Sequence, residues 1–227
     1  MNLFRRNPTP EATAGVGSFD LLRARLEVEI PRPAVIAITS STSLDGAEIS
    51  ARGLAHSLAT TGYPTLFIDT VPSIRGSAKP TAGLTLEEIG RQIEPASGGG
   101  NLAVLALGDV SLQKTTSQRN IHAALESLRG KFDYVVMNTE VGVASSFSTS
   151  VVAAADAVLV AVKTGRRQKA ADAQLAALLN RLGVRFLGVL AVDSSITNAD
   201  SNIIPGPGIS KEVRRNSAVH VEKEYAR

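Results

Sequence analysis

The stretch Val35-Ile-Ala-Ile-Thr-Ser-Ser-Thr-Ser-Leu-Asp-Gly-Ala-Glu-Ile49 decides how the chain is read. It opens as a run of apolar, mostly β-branched residues and passes through a polar loop rich in Ser and Thr. It ends where apolar residues begin to recur at spacings of three and four. That is a strand, a tight loop and a helix in succession. The helical spacing runs from Ala47 to Thr61, Gly62 stops it, and Thr65-Leu-Phe-Ile-Asp69 begins a second strand.

The alternation continues outward. Ala34 to Ile38, Thr65 to Ile68, Leu102 to Leu105, Tyr134 to Met137, Val158 to Val162 and Phe186 to Val192 are near-continuous apolar runs, as strands covered on both faces require. Between them Ala47 to Thr61, Leu84 to Ile93, Ser117 to Arg129 and Arg167 to Leu182 carry helical spacing, with Gly183 as a second stop. At least six strands joined by crossover helices predict a three-layer, doubly wound α/β fold with a mostly parallel sheet. Ser97 to Gly100 is rich in glycine but precedes a strand, and phosphate loops follow strands, so it reads as a connector.

Composition narrows the function. The chain has 227 residues, 44% hydrophobic and 20% charged, which suits one large domain with tails. It has no Cys, which excludes disulfides, thiolate metal sites and cysteine nucleophiles. Aromatics are 4% with no Trp and the net charge is +3, so neither stacking platforms nor a strong basic patch points to nucleic acid. No run approaches the ~20 apolar residues of a membrane span, and Met1 to Gly17 has no apolar stretch of signal-peptide type. The expectation is a soluble, cytoplasmic protein. Residues 1–32 form an N-terminal segment with a short amphipathic helix over Phe19 to Val28, read as an appendage. Residues 33–198 form the α/β domain, and residues 199–227 a polar tail expected to be mobile.

The strand, loop, helix, Gly62 and second strand resemble, in spacing, the nucleotide-binding core of the bacterial tyrosine kinases and ParA/MinD-type ATPases. Their pattern is strand, TSxxPGEGKST, helix, Gly, then a strand ending in DxD. Further resemblance to the tyrosine-kinase branch comes from Phe19 to Leu26, Gly83-Leu84-Thr85, Asn101-Leu-Ala-Val-Leu105, Phe132-Asp-Tyr-Val-Val-Met-Asn138 and Leu182-Gly-Val-Arg-Phe-Leu-Gly188. It spans roughly Gly17 to Asp193. The resemblance implies a P-loop NTPase fold, and for that branch a cytoplasmic module of capsule and exopolysaccharide assembly.

Set on that pattern, the residues for the chemistry are changed. Such a loop surrounds a β-phosphate with backbone N–H groups, reaches the β and γ oxygens with a Lys and offers magnesium a hydroxyl. Here the degenerate positions include Ser43 and Asp45, with Leu44 where one of the loop glycines should sit. Gly46 is kept, Ala47 replaces the Lys and Glu48 replaces the hydroxyl residue. The DxD reads Asp69-Thr70-Val71. The later motif, Asp with Pro three residues on, reads Asn138 and Val141, and Val192 and Asp193 stand where the adenine-contacting Asn would be. A neutral amide does not supply the charge that holds magnesium, and without the Lys a triphosphate lacks its main counter-ion.

Several of these residues also have a purely structural reading. Asp45 and Glu48, three apart at a helix start, have the spacing of an N-cap with a capping-box Glu, expected to contribute ~1–2 kcal/mol. An acid/base or metal role lacks a His partner nearby. Asp69 reads as a turn former, with a remnant ligand as the alternative. His56, His122 and His220 are scattered and form no Ser–His–Asp arrangement. The branch's C-terminal tyrosine cluster is reduced to Tyr225, an ordinary tail residue or a lone phosphosite. Its ring-forming ExxRxxR falls on Gly17, Asp20 and Arg23, so only the last Arg is retained. Phe19 and Leu22 are left to pack, with Phe19, Asp20 and Arg23 as candidate interaction residues. Phe4, Arg5 and Arg6 supply only ~2 kcal/mol of attraction to anionic lipid.

The resulting expectation is a tyrosine-kinase-like chain without catalytic residues, metal or cofactor. It would serve as a regulatory or scaffolding subunit in exopolysaccharide or capsule biosynthesis or export. Its partner would be a polysaccharide co-polymerase or an active kinase subunit, which would hold it peripherally at the inner face of the cell membrane. One alternative is an active ATP- and magnesium-binding kinase or ATPase with an unconventional loop, and another is a degenerate ParA/MinD-type positioning protein.

Overall fold

The computed structural model describes residues 16–43, 45–71, 101–106, 118–139, 145–165 and 169–192. The sequence features at Gly83-Leu84-Thr85, Leu84 to Ile93, Ser97 to Gly100, Val141, His220, Tyr225 and the tail lie outside them.

Eleven elements follow in order among the described residues: α1 (Val16–Glu29), β1 (Ala34–Ser40), α2 (Ala47–Thr60), β2 (Thr65–Asp69), β3 (Leu102–Ala106), α3 (Gln118–Arg129), β4 (Tyr134–Asn138), α4 (Ser146–Ala154), β5 (Ala157–Lys163), α5 (Lys169–Leu182) and β6 (Phe186–Val192). The strands form one sheet in the order β3-β2-β4-β1-β5-β6, and every pairing is parallel. The near-continuous apolar runs account for this. Alternate residues of each strand face opposite sides of the sheet, and both sides are covered.

One side is built by Ile36, Ile38, Phe67, Val136 and Leu159 against Leu54 and Leu58 of α2 and Leu26 of α1. On the other, Val35, Leu66, Ile68, Val135 and Met137 pack on α3 and α4, and Val158 and Val160 pack on α5. The architecture is the three-layer α/β sandwich expected, and both expected stops, Gly62 (φ 98°) and Gly183 (φ 64°), take the left-handed conformation open to glycine.

Two expectations need correction. The helix over Phe19 to Val28 is not an appendage: α1 lies on α2, and Leu26 and the following Ile30 are 1% and 2% exposed within the main core cluster. Fully burying such a side chain contributes ~1.5–3 kcal/mol, which ties the N-terminal helix to the domain. The second is α4, which the spacing argument did not find. Its sequence, SFSTSVVAA, has Ser or Thr at four of its nine positions and shows no polar face to set off an apolar one. Its start is nonetheless written locally, because the Ser145 hydroxyl accepts the Ser148 N–H at 3.1 Å as an N-cap.

Candidate functional site at the carboxyl ends of β1, β2 and β4

In a parallel sheet of this kind the carboxyl ends of the strands open where the strand order reverses, and ligands bind there. From β1 the chain passes through α2 to β2 on one side, while β5 lies on the other. The loop after β1, Asp69 at the end of β2 and Asn138 at the end of β4 therefore meet at one place. Register makes this concrete, since Asn138 is the cross-strand partner of both Ile38 and Asp69.

The loop is organised around its own carboxylate. Asp45 is 3% exposed, and its Oδ2 accepts the Thr42 N–H at 2.9 Å, the Thr42 hydroxyl at 2.7 Å and the Ser41 hydroxyl at 3.2 Å. The Ser41 hydroxyl also lies 2.5 Å from Asp172 Oδ1 on α5, so its single proton serves one carboxylate at a time. Ser40 Oγ donates to the Thr42 carbonyl at 2.8 Å and the Asp45 N–H to the same carbonyl at 3.3 Å, which closes the turn. Ser43 points into solvent, and Leu44 lies outside the described residues.

The expected capping box is absent. The N-cap of α2 is Gly46, in the left-handed conformation at φ 76°, and no side chain caps the helix. The positive φ turns the chain so that the Asp45 side chain folds back on Thr42 instead of forward over α2. Glu48 pairs with Arg52 one turn on, Oε1 to Nη2 at 3.1 Å, on a half-exposed face where such pairs contribute ~0.3–0.5 kcal/mol. Ala47 is buried in the cluster with Ala51 and Leu54, and Gly46 lies against Val192 at the end of β6.

At the end of β2, Asp69 Oδ1 accepts the Val71 N–H at 3.1 Å, the contact of a turn former, and Asn138 Nδ2 donates to the same oxygen at 2.8 Å. Burial raises the Asp69 pKa above its ordinary value and the nearby Glu48 adds to this, while the two N–H donors and Arg52 work against it. Asn138 is 2% exposed, and its Oδ1 has no hydrogen-bond partner among the described residues. This adjacency was missed in sequence because the two residues are 69 apart.

Phe19, Asp20 and Arg23 are occupied within the chain. Phe19 packs against Gly53, the Asp20 carboxylate accepts the Ser57 hydroxyl at 2.7 Å, and Arg23 pairs with Glu27 at 2.9 Å. Among the described residues no three His, Asp or Glu side chains gather as a metal site needs, and His56 and His122 sit apart on α2 and α3. No helix among those residues is long and apolar enough to cross a membrane.

No family model matches the chain, and no curated protein matches it. Solved structures do. The kinase domain of Escherichia coli tyrosine kinase ETK is 19% identical with a TM-score of 0.64, over 87% of this chain and 86% of that one. The VpsO kinase domain is 18% identical with a TM-score of 0.60, over 78% and 94%. Cobyrinic acid a,c-diamide synthase from Mycobacterium smegmatis, solved with ADP and magnesium, is 16% identical with a TM-score of 0.57, over 85% and 82%. Likeness at these identities establishes the fold. The chain has the α/β P-loop NTPase fold shared by bacterial tyrosine kinase domains and ParA/MinD-like ATPases, as the loop spacing implied.

Proposed function

We propose that the chain is a catalytically degenerate, tyrosine-kinase-like subunit that scaffolds or regulates a complex of exopolysaccharide or capsule assembly. The observation that carries this reading is the buried Asp45 carboxylate, which takes up N–H and hydroxyl donors of the loop that in this fold would face an anion. Around it the residues do not fit magnesium–nucleotide. Ala47 offers a methyl group in place of an ammonium, Glu48 brings a negative charge to the helix start, and Asn138 directs an amide N–H at Asp69. A triphosphate would meet the carboxylates of Asp45 and Glu48, and no lysine on α2.

The place in polysaccharide assembly rests on the resemblance, and the partner it implies is a polysaccharide co-polymerase or an active kinase that carries the chain to the membrane. Calorimetric titration with magnesium–ATP and magnesium–ADP tests the first half. The expected outcome is no saturable binding tighter than a Kd of ~100 μM, about 5.5 kcal/mol. Tighter binding would install the active-ATPase reading instead. Affinity recovery of the chain with membrane-bound partners tests the second half, and recovery only as a free species would overturn it.

A further inference from the structure

We propose that Asp69 and Asn138 form a proton-binding pair, a neutral carboxyl–amide couple at the strand ends where this fold ordinarily stations charged carboxylates. The inference rests on the reading above only in taking the site to be free of metal.

The argument begins with an orphan. Asn138 is 2% exposed and its Nδ2 is used, donating to Asp69 Oδ1 at 2.8 Å, yet its buried Oδ1 has no donor among the described residues. A buried amide oxygen left unpaired costs ~1–3 kcal/mol. Exchanging the amide's two ends does not help, because that would set an oxygen against a carboxylate oxygen and orphan the N–H group. Register keeps the pair together, since Asp69 and Asn138 are cross-strand partners and the Thr70 N–H and hydroxyl both bind the Asn138 carbonyl, at 3.0 and 2.8 Å.

A proton on Asp69 resolves the orphan. The protonated Oδ2 donates to Asn138 Oδ1 while Asn138 Nδ2 continues to donate to Asp69 Oδ1, a closed acid–amide ring with both partners satisfied. Asp69 Oδ1 still accepts the Val71 N–H. Among the described residues the charged groups that act on Asp69 are both on α2: Glu48, whose carboxylate disfavours a second negative charge, and Arg52, already bound to Glu48 at 3.1 Å. From β4 the facing group is neutral Asn138. Burial acts in the same direction, raising the Asp69 pKa.

The sign follows from linkage. A folded-state proton affinity above that of the unfolded chain contributes stability that is complete below the unfolded pKa and is lost as pH rises through the folded one. Asp69→Asn copies the protonated form permanently, with an amide N–H in place of the acid O–H. Carboxyl carbon NMR of the wild-type chain should therefore show Asp69 titrating above the same residue in the urea-unfolded chain. The urea midpoint of Asp69→Asn, measured relative to wild type, should rise as pH climbs above the unfolded carboxyl's pKa and level off once pH has passed the raised folded one. A titration at or below the unfolded position, or a variant whose relative midpoint falls with pH, would overturn the pair. Adding magnesium separates the two ideas. A magnesium-dependent shift of the Asp69 resonance would count against the metal-free site, whereas normal titration without any magnesium response would sink the proton pair alone.

Discussion

The ring of Phe19 lies against Gly53, so close that a methyl group placed on Gly53 would sit 2.6 Å from the ring's Cζ. Two helices from separate parts of the chain are thus held together at a point where one of them has no side chain. Gly53 is in the interior of α2, where glycine ordinarily lowers helix stability by ~1 kcal/mol relative to alanine.

Gly53→Ala should therefore have opposite signs in two backgrounds. In the wild-type chain the overlap with Phe19 outweighs the helix gain and lowers stability by roughly 1–3 kcal/mol. With Phe19→Ala already present, the same substitution should raise stability by up to ~1 kcal/mol. Urea denaturation of the four proteins in the cycle measures both, and a destabilisation of equal size in the two backgrounds would refute the contact.

The αL residue before α2 has a second constraint. A Cβ on Gly46 would lie 2.8 Å from Val192 Cγ1, and its φ of 76° is strained for other residues. Gly46→Ala should cost roughly 1–3 kcal/mol, and less in a Val192→Ala background where only the backbone strain of ~1–2 kcal/mol remains. Thermal or urea denaturation reads the difference. Equal costs would mean that Val192 does not set the loop's position.

Asp45 and Glu48, alike in charge and three residues apart, should behave differently. Asp45→Ala strips the part-buried Thr42 N–H and the Thr42 hydroxyl of their acceptor, while the Ser41 hydroxyl keeps Asp172, and should lower stability by ~1–3 kcal/mol. Glu48→Ala removes one half-exposed pair with Arg52 and should cost less than ~0.5 kcal/mol. A comparable loss from both, measured by chemical denaturation, would restore the capping box.

How far the sequence reaches can be read from these residues. The six strands and α2, α3 and α5 were legible because their periods are local: apolar β-branched runs, then spacings of three and four, closed by Gly62 and Gly183. The serine-rich α4 carried no such period. For the loop, the resemblance set Ala47 and Glu48 where the family's pattern has a Lys and a hydroxyl residue. It could not show where Asp45 points, since an acidic residue before a helix suits a cap and a loop clasp equally well.

The sequence by itself determined the class of the fold and which residues stand in its first loop, because both are written in residues adjacent along the chain. The tertiary structure alone decided the partners. The left-handed turn at Gly46 sends the Asp45 carboxylate to Thr42. Placing β4 between β2 and β1 sets Asn138 beside Asp69, and the packing of α1 on α2 gives Asp20 to Ser57. The last two join residues by strand order and helix packing, and their physical cause lies in which apolar faces are buried together.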